Sequence, residues 1–357
     1  MFRPAFDRLR LTLWCVITVW SILTAVSAAA NGHDNAVMLV YHHVSNDTPP
    51  STTISPQKFA EHLAYLHEHH QVVALDALVN ALKSGQSLPD KAVAITFDDG
   101  YRNILENAHP MLMEYEMPYT IFINPGTIGT QKGQLSWDEV KKMSEEGVLF
   151  ANHTMQHDHL LTRLPNETES QWLERTLADI DQAERMLKEH LGYSLKYLAY
   201  PFGEFNLTLA NTLTNRGYIG FGQHSGAVNS QSFFGALSRF AAAGVYANLN
   251  SLKTKLNSLA LSIQPPLIEP LYNSPTPPQV TLTIAGTSPS ARQLTCFYNN
   301  KPIAVTASEQ QFTFTLPESI PVGRSRVNCT APSSKPGRFY WFSQPFFVAD
   351  ENGQFPN

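Results

Sequence analysis

Three features that would mark a special class of protein are scarce or missing in this sequence. Only 3 of its 357 residues are cysteine, too few for a scaffold built on many disulfides. Its 25 Lys and Arg residues are outnumbered by 30 Asp and Glu, and the net charge of -5 argues against a nucleic-acid partner. Repeats and low-complexity tracts are missing as well. With 43% apolar residues the chain can bury a sizeable core, and its length suggests two domains.

A long hydrophobic run is also lacking. The apolar stretch at residues 11–26 has about sixteen residues, whereas a membrane-spanning helix needs about twenty. Basic residues at positions 3, 8 and 10 precede this stretch, and the small residues 27–30 follow it. The pattern predicts a signal peptide over residues 1–30 and hence an exported protein, periplasmic or secreted. An uncleaved N-terminal membrane anchor is the alternative.

Export would give the few cysteines a role. Cys15 lies in the predicted signal peptide, so the exported chain would keep Cys296 and Cys329. An oxidising compartment favours a disulfide between these two residues. Closing that loop would stabilise the fold by roughly 3–4 kcal/mol in the chain-entropy model. The alternative is two buried free thiols.

Short β-rich runs alternate with helical patterns between residues 36 and 240. Several runs are almost wholly apolar, as expected of parallel strands buried on both faces. The predicted strands lie at 37–42, 92–97, 119–123, 148–152, 197–200, 219–222 and 236–240. Helical patterns lie between them at 56–69 and 169–190. This alternation predicts an α/β sheet or barrel.

The composition changes after that region. Prolines crowd residues 265–279, which predicts an extended, semi-rigid linker. From 280 to 350 apolar and polar residues alternate between turn signals, which predicts a small all-β sandwich with the two cysteines on its strands. Tyr340, Trp341 and Phe342 could form a glycan-binding face of this sandwich, or they belong to its core and edges.

Residues able to do chemistry follow the predicted strands. The set comprises His42 and His43, Asp98 and Asp99, His153, the run 200–203, the run 223–225, and Arg239. In α/β barrels the loops at the carboxyl ends of the strands converge on one rim, where catalytic groups collect. We therefore expect these residues to meet in one site.

Two of these groups have the composition of a metal site. Asp98 and Asp99 are adjacent carboxylates that repel each other unless a cation neutralises one, although a capped turn would also suit Asp-Asp-Gly. His153 and His157 are spaced i and i+4, which on a helical turn would place both imidazoles on one face. Two imidazoles and one carboxylate form a catalytic zinc set that leaves positions for water and substrate. His159 is a competing ligand, but its spacing places it off that face.

These motifs resemble those of the NodB-like polysaccharide deacetylases of carbohydrate esterase family 4. Thr-Phe-Asp-Asp-Gly at 96–100 is similar to the first family motif, and His-Thr-Met-Gln-His at 153–157 is similar to the second. The resemblance covers about residues 36–240. It implies a distorted (β/α)7 barrel, a deacetylase domain over residues 31–264, and a divalent ion, usually zinc, held by Asp99, His153 and His157. Asp98 would be the general base.

The third family motif departs from its usual form. Arg-x-Pro-Tyr is replaced by Ala-Tyr-Pro-Phe at 199–202, so the arginine that orients the base is missing there, and Arg239 is its expected substitute. No late acid histidine is evident. The early Tyr-His-His-Val at 41–44 instead resembles the subgroup acting on poly-β-1,6-N-acetylglucosamine, which makes His42 the predicted general acid and His224 the second choice. The backbone N–H of Phe202 is the predicted oxyanion donor, and Tyr200 and His224 are predicted to contact substrate.

The sequence thus predicts metal-dependent hydrolysis of N-acetyl groups from an N-acetylhexosamine polysaccharide, with release of acetate. An amidase or esterase with a non-sugar substrate would use the same centre. A catalytically silent glycan-binding protein is the third hypothesis, but such a protein has no need of the complete set of two aspartates and two histidines.

Overall fold

The computed structural model describes Met1, residues 33–274 and residues 276–356. The predicted signal peptide over residues 1–30 lies outside the described residues, apart from Met1, and stays a prediction. Within the described part of the chain, no helix combines the length and the apolar character that crossing a membrane requires.

The first two thirds of the chain form parallel strands with helices between them. The strands are β1 (Ala36–Tyr41), β2 (His43–Val44), β3 (Thr53–Ile54), β4 (Gln71–Val72), β5 (Ala92–Phe97), β6 (Tyr119–Ile123), β7 (Leu149–Asn152), β8 (Tyr197–Ala199), β9 (Ile219–Phe221), β10 (Phe240–Ala241) and β11 (Ser258–Ala260). The α-helices are α1 (Pro56–His69), α2 (Leu75–Ser84), α3 (His109–Glu114), α4 (Trp137–Glu145), α5 (Glu169–Leu191), α6 (Leu207–Asn215) and α7 (Leu249–Leu256). A π-helical turn, Ile104–Ala108, leads into α3.

Helix α5 shows why the sequence forms these elements. A capping box between Thr168 and Gln171 satisfies backbone donors at its start, and left-handed Gly192 ends it. Trp172, Ile180 and Leu187 are buried along one face, at the helical spacing that the sequence predicts.

Eight parallel strands make the main sheet, in the order β10-β1-β5-β6-β7-β8-β9, with β4 also paired to β5. Strand β9, at the other end of the sheet, also lies close to the segment before β10. The Leu237 N–H donates to the Gly220 carbonyl at 2.8 Å, and the Gly222 N–H donates to the Leu237 carbonyl at 2.8 Å. The segment 234–241 therefore lies between β9 and β1. The predicted strand 236–240 is shorter than expected, because before Phe240 the segment pairs only through an isolated bridge at Leu237.

The strands of the sheet are buried on both faces, as their apolar runs predict. Along β1, Val37 and Leu39 join the core that includes the α1 side chains Phe59 and Leu63, whereas Met38 joins a second core on the opposite face. Successive side chains of a strand point to opposite faces, so neighbouring residues of β1 contribute to different cores.

The remaining strands build an all-β unit. They are β12 (Gln279–Thr283), β13 (Thr295–Tyr298), β14 (Lys301–Ile303), β15 (Val305–Ala307), β16 (Gln311–Thr315), β17 (Gly323–Pro332) and β18 (Phe339–Val348). A five-stranded sheet, β11-β18-β17-β13-β14, and a three-stranded sheet, β12-β16-β15, share one hydrophobic core. Cys296 and Cys329 lie opposite each other on β13 and β17 and form the predicted disulfide.

The predicted linker at 265–279 does not run free of the structure. Strand β11, which precedes it, already pairs with β18, and the linker itself exchanges hydrogen bonds with Phe347 through Pro270 and Tyr272. Trp341 of β18 packs edge-on against Phe240 of the parallel sheet, with ring centroids 5.1 Å apart. Tyr340 and Phe342 pack against the β core, which favours the core interpretation of this aromatic run over a glycan-binding face. The exact domain bounds stay a prediction.

We expect His62 of α1 to make the stability of the parallel-sheet part of the chain depend on pH. It is fully buried between the Tyr41 hydroxyl, 3.0 Å away, and the Ala247 carbonyl, 3.1 Å away. Burial, helped by two nearby lysines, lowers the pKa of His62 to about 4, whereas an unfolded chain has a histidine pKa of about 6.5. Between these values the unfolded state binds the extra proton, so stability falls as the pH falls.

We predict that His62 lowers the free energy of unfolding by about 2 kcal/mol between pH 7 and pH 5. Denaturant unfolding at the two pH values measures this change. His62→Gln should flatten the pH dependence by that amount, and His69→Gln, a change at a partly exposed residue of the same helix, should leave it as in the unsubstituted protein. An unaltered pH dependence in His62→Gln contradicts the prediction.

Candidate metal centre and active site

The candidate site lies where several parallel strands end. Asp98 and Asp99 follow β5 directly, and His153 follows β7 directly. Phe202 lies in the loop after β8, and Arg239 comes just before β10. Residues far apart in sequence meet here as predicted, but Arg239 precedes the short strand β10 and does not lie at the carboxyl end of a strand.

Asp99, His153 and His157 form a cluster in which each residue offers one ligand atom, all within 4.8 Å of one another. Oδ1 of Asp99 lies 3.3 Å from Nε2 of His153 and 3.4 Å from Nε2 of His157. The Asp99 and His153 atoms are buried without a hydrogen-bond partner. In a tetrahedral zinc site with ligands about 2.0–2.1 Å from the ion, ligand atoms are about 3.3–3.4 Å apart. The two distances from the Asp99 carboxylate to the imidazoles fit a zinc-sized cation.

The orientation of His153 supports the same interpretation. Its Nδ1 lies 2.8 Å from the Ala199 carbonyl, an acceptor only, so Nδ1 carries a proton. In a neutral ring Nε2 then presents a lone pair to the Asp99 carboxylate, an arrangement that needs a cation or a second proton between them. A backbone carbonyl behind the imidazole is the usual means of directing a metal-binding histidine.

The loop that carries the histidines is not the helical turn that the i, i+4 spacing predicts. Thr154 and His157 both have left-handed backbone angles, with φ of 68° and 62°. The Asn152 side chain accepts the Thr154 N–H at 2.8 Å, and the Thr154 hydroxyl accepts the His157 N–H at 3.2 Å. Side-chain hydrogen bonds to the backbone thus fold a tight loop, and this loop brings the two imidazoles together.

Asp98 and Arg239 form a bidentate ion pair beside this cluster. The two distances are 2.7 Å and 2.8 Å, and both side chains are fully buried. Arg239 also donates from Nε to the Gly222 carbonyl at 3.0 Å and from Nη1 to the Thr96 hydroxyl at 3.1 Å. Gln223, at 3.4 Å from Oδ2 of Asp98, is a neighbour without a role in the sequence prediction.

Charges in the site determine which groups are ionised. Burial raises the pKa of the Asp98 carboxyl, but Arg239, His153 and His42 together hold that pKa below its usual range. Burial likewise raises the pKa of Asp99, and the imidazoles of His153, His42 and His157 bring it below its usual range. Both carboxylates are therefore ionised at neutral pH, and His42 lies within electrostatic range of Asp99.

Tyr101 and Asn103 contact His43, the second of the two histidines that follow β1. The His43 ring is stacked on Tyr101 at 3.6 Å, and Asn103 hydrogen-bonds to it at 2.9 Å. Burial, with the nearby Asp99 carboxylate, raises the pKa of Tyr101, so its hydroxyl stays protonated next to the cluster. Tyr101 directly follows Asp-Asp-Gly, a position from which the sequence could have indicated its proximity.

Phe202 forms the wall on the other side of the cluster. Its ring lies 4.5 Å from that of His157 and is stacked on His159 at 3.8 Å. His159 is not turned towards the cluster, because its Nδ1 lies 2.7 Å from Glu204, a fully buried carboxylate. Glu204 also accepts a hydrogen bond from Nη1 of Arg324 on β17 at 3.3 Å, so the all-β unit helps to hold the loop that follows β8.

The two predicted substrate contacts have different surroundings from those expected. The Tyr200 side chain is fully buried and donates its hydroxyl to the Gly235 carbonyl at 2.7 Å, so the prediction that it contacts substrate is wrong for the side chain. It is a core residue because the strand's alternation turns it away from the rim. Burial, with Arg326 and Arg239 nearby, lowers the pKa of His224 to about 4, which leaves this imidazole neutral at pH 7.

A buried carboxylate next to three side chains that could hold a metal ion, at the ends of parallel strands, would suit a hydrolytic metal centre. The sequence model of the polysaccharide deacetylase family matches residues 85–220, a range that includes both motifs and ends before His224 and Arg239. The chain therefore contains a polysaccharide deacetylase domain of the NodB-like type.

Similar proteins agree with this assignment. A Bacillus subtilis protein named as a polysaccharide deacetylase is 27% identical over 204 residues, which are 57% of this chain and 69% of that protein. A poly-beta-1,6-N-acetyl-D-glucosamine N-deacetylase of Staphylococcus aureus is 29% identical over 177 residues, 47% of this chain and 59% of its own length. The IcaB structure from Ammonifex degensii has a TM-score of 0.53 and 26% identity, and covers 60% of this chain and 98% of its own.

A fourth similarity concerns the fold alone. The structure of a de-N-acetylase from Aggregatibacter actinomycetemcomitans has a TM-score of 0.55 at 20% identity, and covers 62% of this chain and 100% of its own. Since these solved structures cover about three fifths of the chain, the remainder has no counterpart in them.

We predict that His153→Ala abolishes zinc binding, because the ring held by Ala199 supplies a buried ligand atom. His159→Ala should keep the metal, since that ring pairs with Glu204 instead. Metal content of the purified, folded variants, measured by mass spectrometry with a melting curve for each, tests both expectations. Zinc retained by His153→Ala, or lost by a folded His159→Ala, contradicts the ligand set.

Proposed function

We propose that the protein is a metal-dependent N-deacetylase that removes acetyl groups from an N-acetylhexosamine polysaccharide as acetate, and that its parallel sheet is the distorted (β/α)7 barrel of this family. The observation that carries the proposal is the buried Asp98–Arg239 pair beside the Asp99, His153 and His157 cluster. A protein that only bound glycans would gain nothing from burying this charged set, which is costly to desolvate.

Asp99, His153 and His157 would hold the divalent ion, with zinc as the expected metal. When bound, such an ion supplies Lewis acidity towards the acetyl carbonyl and lowers the pKa of nearby water. The donor set of two imidazoles and one carboxylate is that of catalytic zinc sites with open positions.

Asp98 is the proposed general base. Each of its carboxylate oxygens accepts a hydrogen bond from Arg239 and keeps further lone-pair capacity. Because the carboxylate is ionised, it can take a proton from the water molecule that attacks the amide carbon. Arg239 fixes the direction of the carboxylate, the role that the sequence assigns to it in place of the missing motif arginine.

His42 is the proposed general acid. The amide C–N bond breaks only when the leaving nitrogen receives a proton, so a group near the cluster must supply one. His42 lies within electrostatic range of both aspartates. His224 suits this role less well, because its imidazole is neutral at the pH where it would have to donate.

The backbone N–H of Phe202 is the proposed donor to the oxyanion. The turn after β8 gives Phe202 a left-handed conformation, with φ of 57°, and the Gly203 N–H donates to the Tyr200 carbonyl at 2.8 Å. Gly203 itself has φ of 74° and would bring a Cβ within 2.9 Å of the Gln223 nitrogen, so this position requires glycine. A rigid turn of this kind can hold a backbone donor in place before the reaction begins.

A polysaccharide that contains N-acetylglucosamine is the proposed type of polymer. Support comes from the name of the staphylococcal relative and from the early histidines that follow β1. Export to the periplasm or the exterior, as the first thirty residues predict, would bring the enzyme to such a polymer.

We predict that Asp98→Asn lowers acetate release from N-acetylglucosamine oligomers by at least about 100-fold, because general base catalysis contributes about that much. Zinc content should be unchanged, since Asp98 is not one of the three ligands. Acetate assays and metal analysis on the same preparation measure both. Activity within tenfold of that of the unsubstituted enzyme would contradict the assignment of Asp98 as the general base.

The assignment of the acid predicts a difference between two histidine variants. His42→Ala should lose the alkaline limb of the pH–rate profile and about 100-fold in kcat, as expected when a general acid is removed. His224→Ala should keep the shape of that profile. If His224→Ala loses the alkaline limb while His42→Ala keeps it, the two assignments must be exchanged.

A further inference from the structure

A cleft of about 280 Å³ opens beside the candidate active site, between the deacetylase domain and the all-β unit. Phe202 and Gln223 belong to both places: Phe202 contacts His157, and Gln223 reaches Asp98. A polymer bound at the metal centre could therefore extend into this cleft without leaving the surface.

Two arginines of β17 line the cleft, and they are engaged differently. Arg324 is held by the buried Glu204 at 3.3 Å and lies 5.1 Å from the Phe202 ring centroid, so its charge is balanced. Arg326 donates to the Tyr246 hydroxyl at 3.0 Å, and no carboxylate pairs with it among the residues that the structure describes. Its guanidinium, with five N–H donors, keeps donor capacity at the cleft.

The other walls offer hydrogen-bonding groups and rings. Asn299 and Asn300 form the two-residue turn between β13 and β14, and both have positive φ, 49° and 61°, as a type I′ hairpin turn requires. The turn brings both asparagines to the cleft, and the rings of Phe202, Tyr246 and Phe347 line it as well. Amides and aromatic rings in one cavity suit a sugar, which has hydroxyl groups and an apolar face.

The charge of the cleft indicates which class of sugar it would bind. Neither Asp nor Glu occurs among the described residues that line it, and the nearby Lys255 adds to the positive field of Arg326. A deacetylated sugar carries a protonated amine, which this field repels. A carboxylate is attracted and matches the planar fork of an arginine in a bidentate pair.

We propose that this cleft is a subsite for a carboxylate-bearing sugar residue of the glycan, with Arg326 as the group that selects it. The inference rests on the proposed function in one respect, namely that the ligand is a glycan. It makes the all-β unit part of substrate selection: the enzyme would favour N-acetylhexosamine polymers that also contain acidic sugars.

Binding of D-glucuronate and of its neutral methyl ester to the full-length protein tests the subsite without assuming a glycosidic linkage. The unsubstituted protein should bind glucuronate about tenfold more tightly than the ester by calorimetry, as one charge-assisted pair allows. Arg326→Gln should bring the ratio of the two affinities close to one. Arg292→Gln, a matched change at an exposed arginine of the same unit that pairs with Glu309, should keep the ratio.

Equal affinity for acid and ester in the unsubstituted protein, or no binding of either, overturns the subsite, and so does a preference that survives in Arg326→Gln. If Arg326→Gln does not fold, the comparison of acid and ester on the unsubstituted protein still decides. Acetate release from neutral N-acetylglucosamine oligomers, measured on the same preparation, tests the proposed function separately. Acetate release without a preference for glucuronate over its ester contradicts only the subsite. A preference for glucuronate without acetate release from any N-acetylated glycan contradicts only the proposed deacetylase function.

Discussion

The bidentate pair of Arg239 and Asp98 joins residues 141 positions apart in the fully buried centre of the molecule. Two charges out of contact with water are tolerable only when they satisfy each other, and losing one partner typically costs about 3–5 kcal/mol. Arg239 also bonds to the Gly222 carbonyl and the Thr96 hydroxyl, so the ends of β5, β9 and β10 are held relative to one another. The direction of the proposed base follows from this arrangement.

A second group of charges connects the all-β unit to the site. Glu204 is fully buried between His159 and Arg324, and the rings of His159 and Phe202 stack beside it. The loop after β8 therefore takes part of its support from a strand that follows it by more than a hundred residues. The all-β unit therefore helps to hold the loop beside the site, and residues from both parts of the chain line the cleft beside Phe202.

Features that depend on residues close together in the chain could be predicted from the sequence. Apolar runs predicted the parallel strands, helix α5 has the expected periodicity and caps, and the cysteines pair as export would favour. The candidate ligands Asp99, His153 and His157 follow from two short motifs and their resemblance to those of the family, although the helical turn predicted for the histidines was wrong. Their convergence comes from a loop with positive φ that Asn152 and Thr154 stabilise, and residue spacing carries no information on such a loop.

The sequence by itself determined the class of fold and the candidate metal ligands, because apolar runs and short motifs consist of neighbouring residues. It left the disulfide as one of two possibilities, which the structure decided. Only the tertiary structure decided that Tyr200 is a core residue and that His159 pairs with Glu204, and it supplied the geometry of the contact expected between Arg239 and Asp98. These facts depend on which strand ends become neighbours and on which face each side chain takes. The position of Arg326 beside the site is of the same kind, since it requires strands of two different sheets to meet.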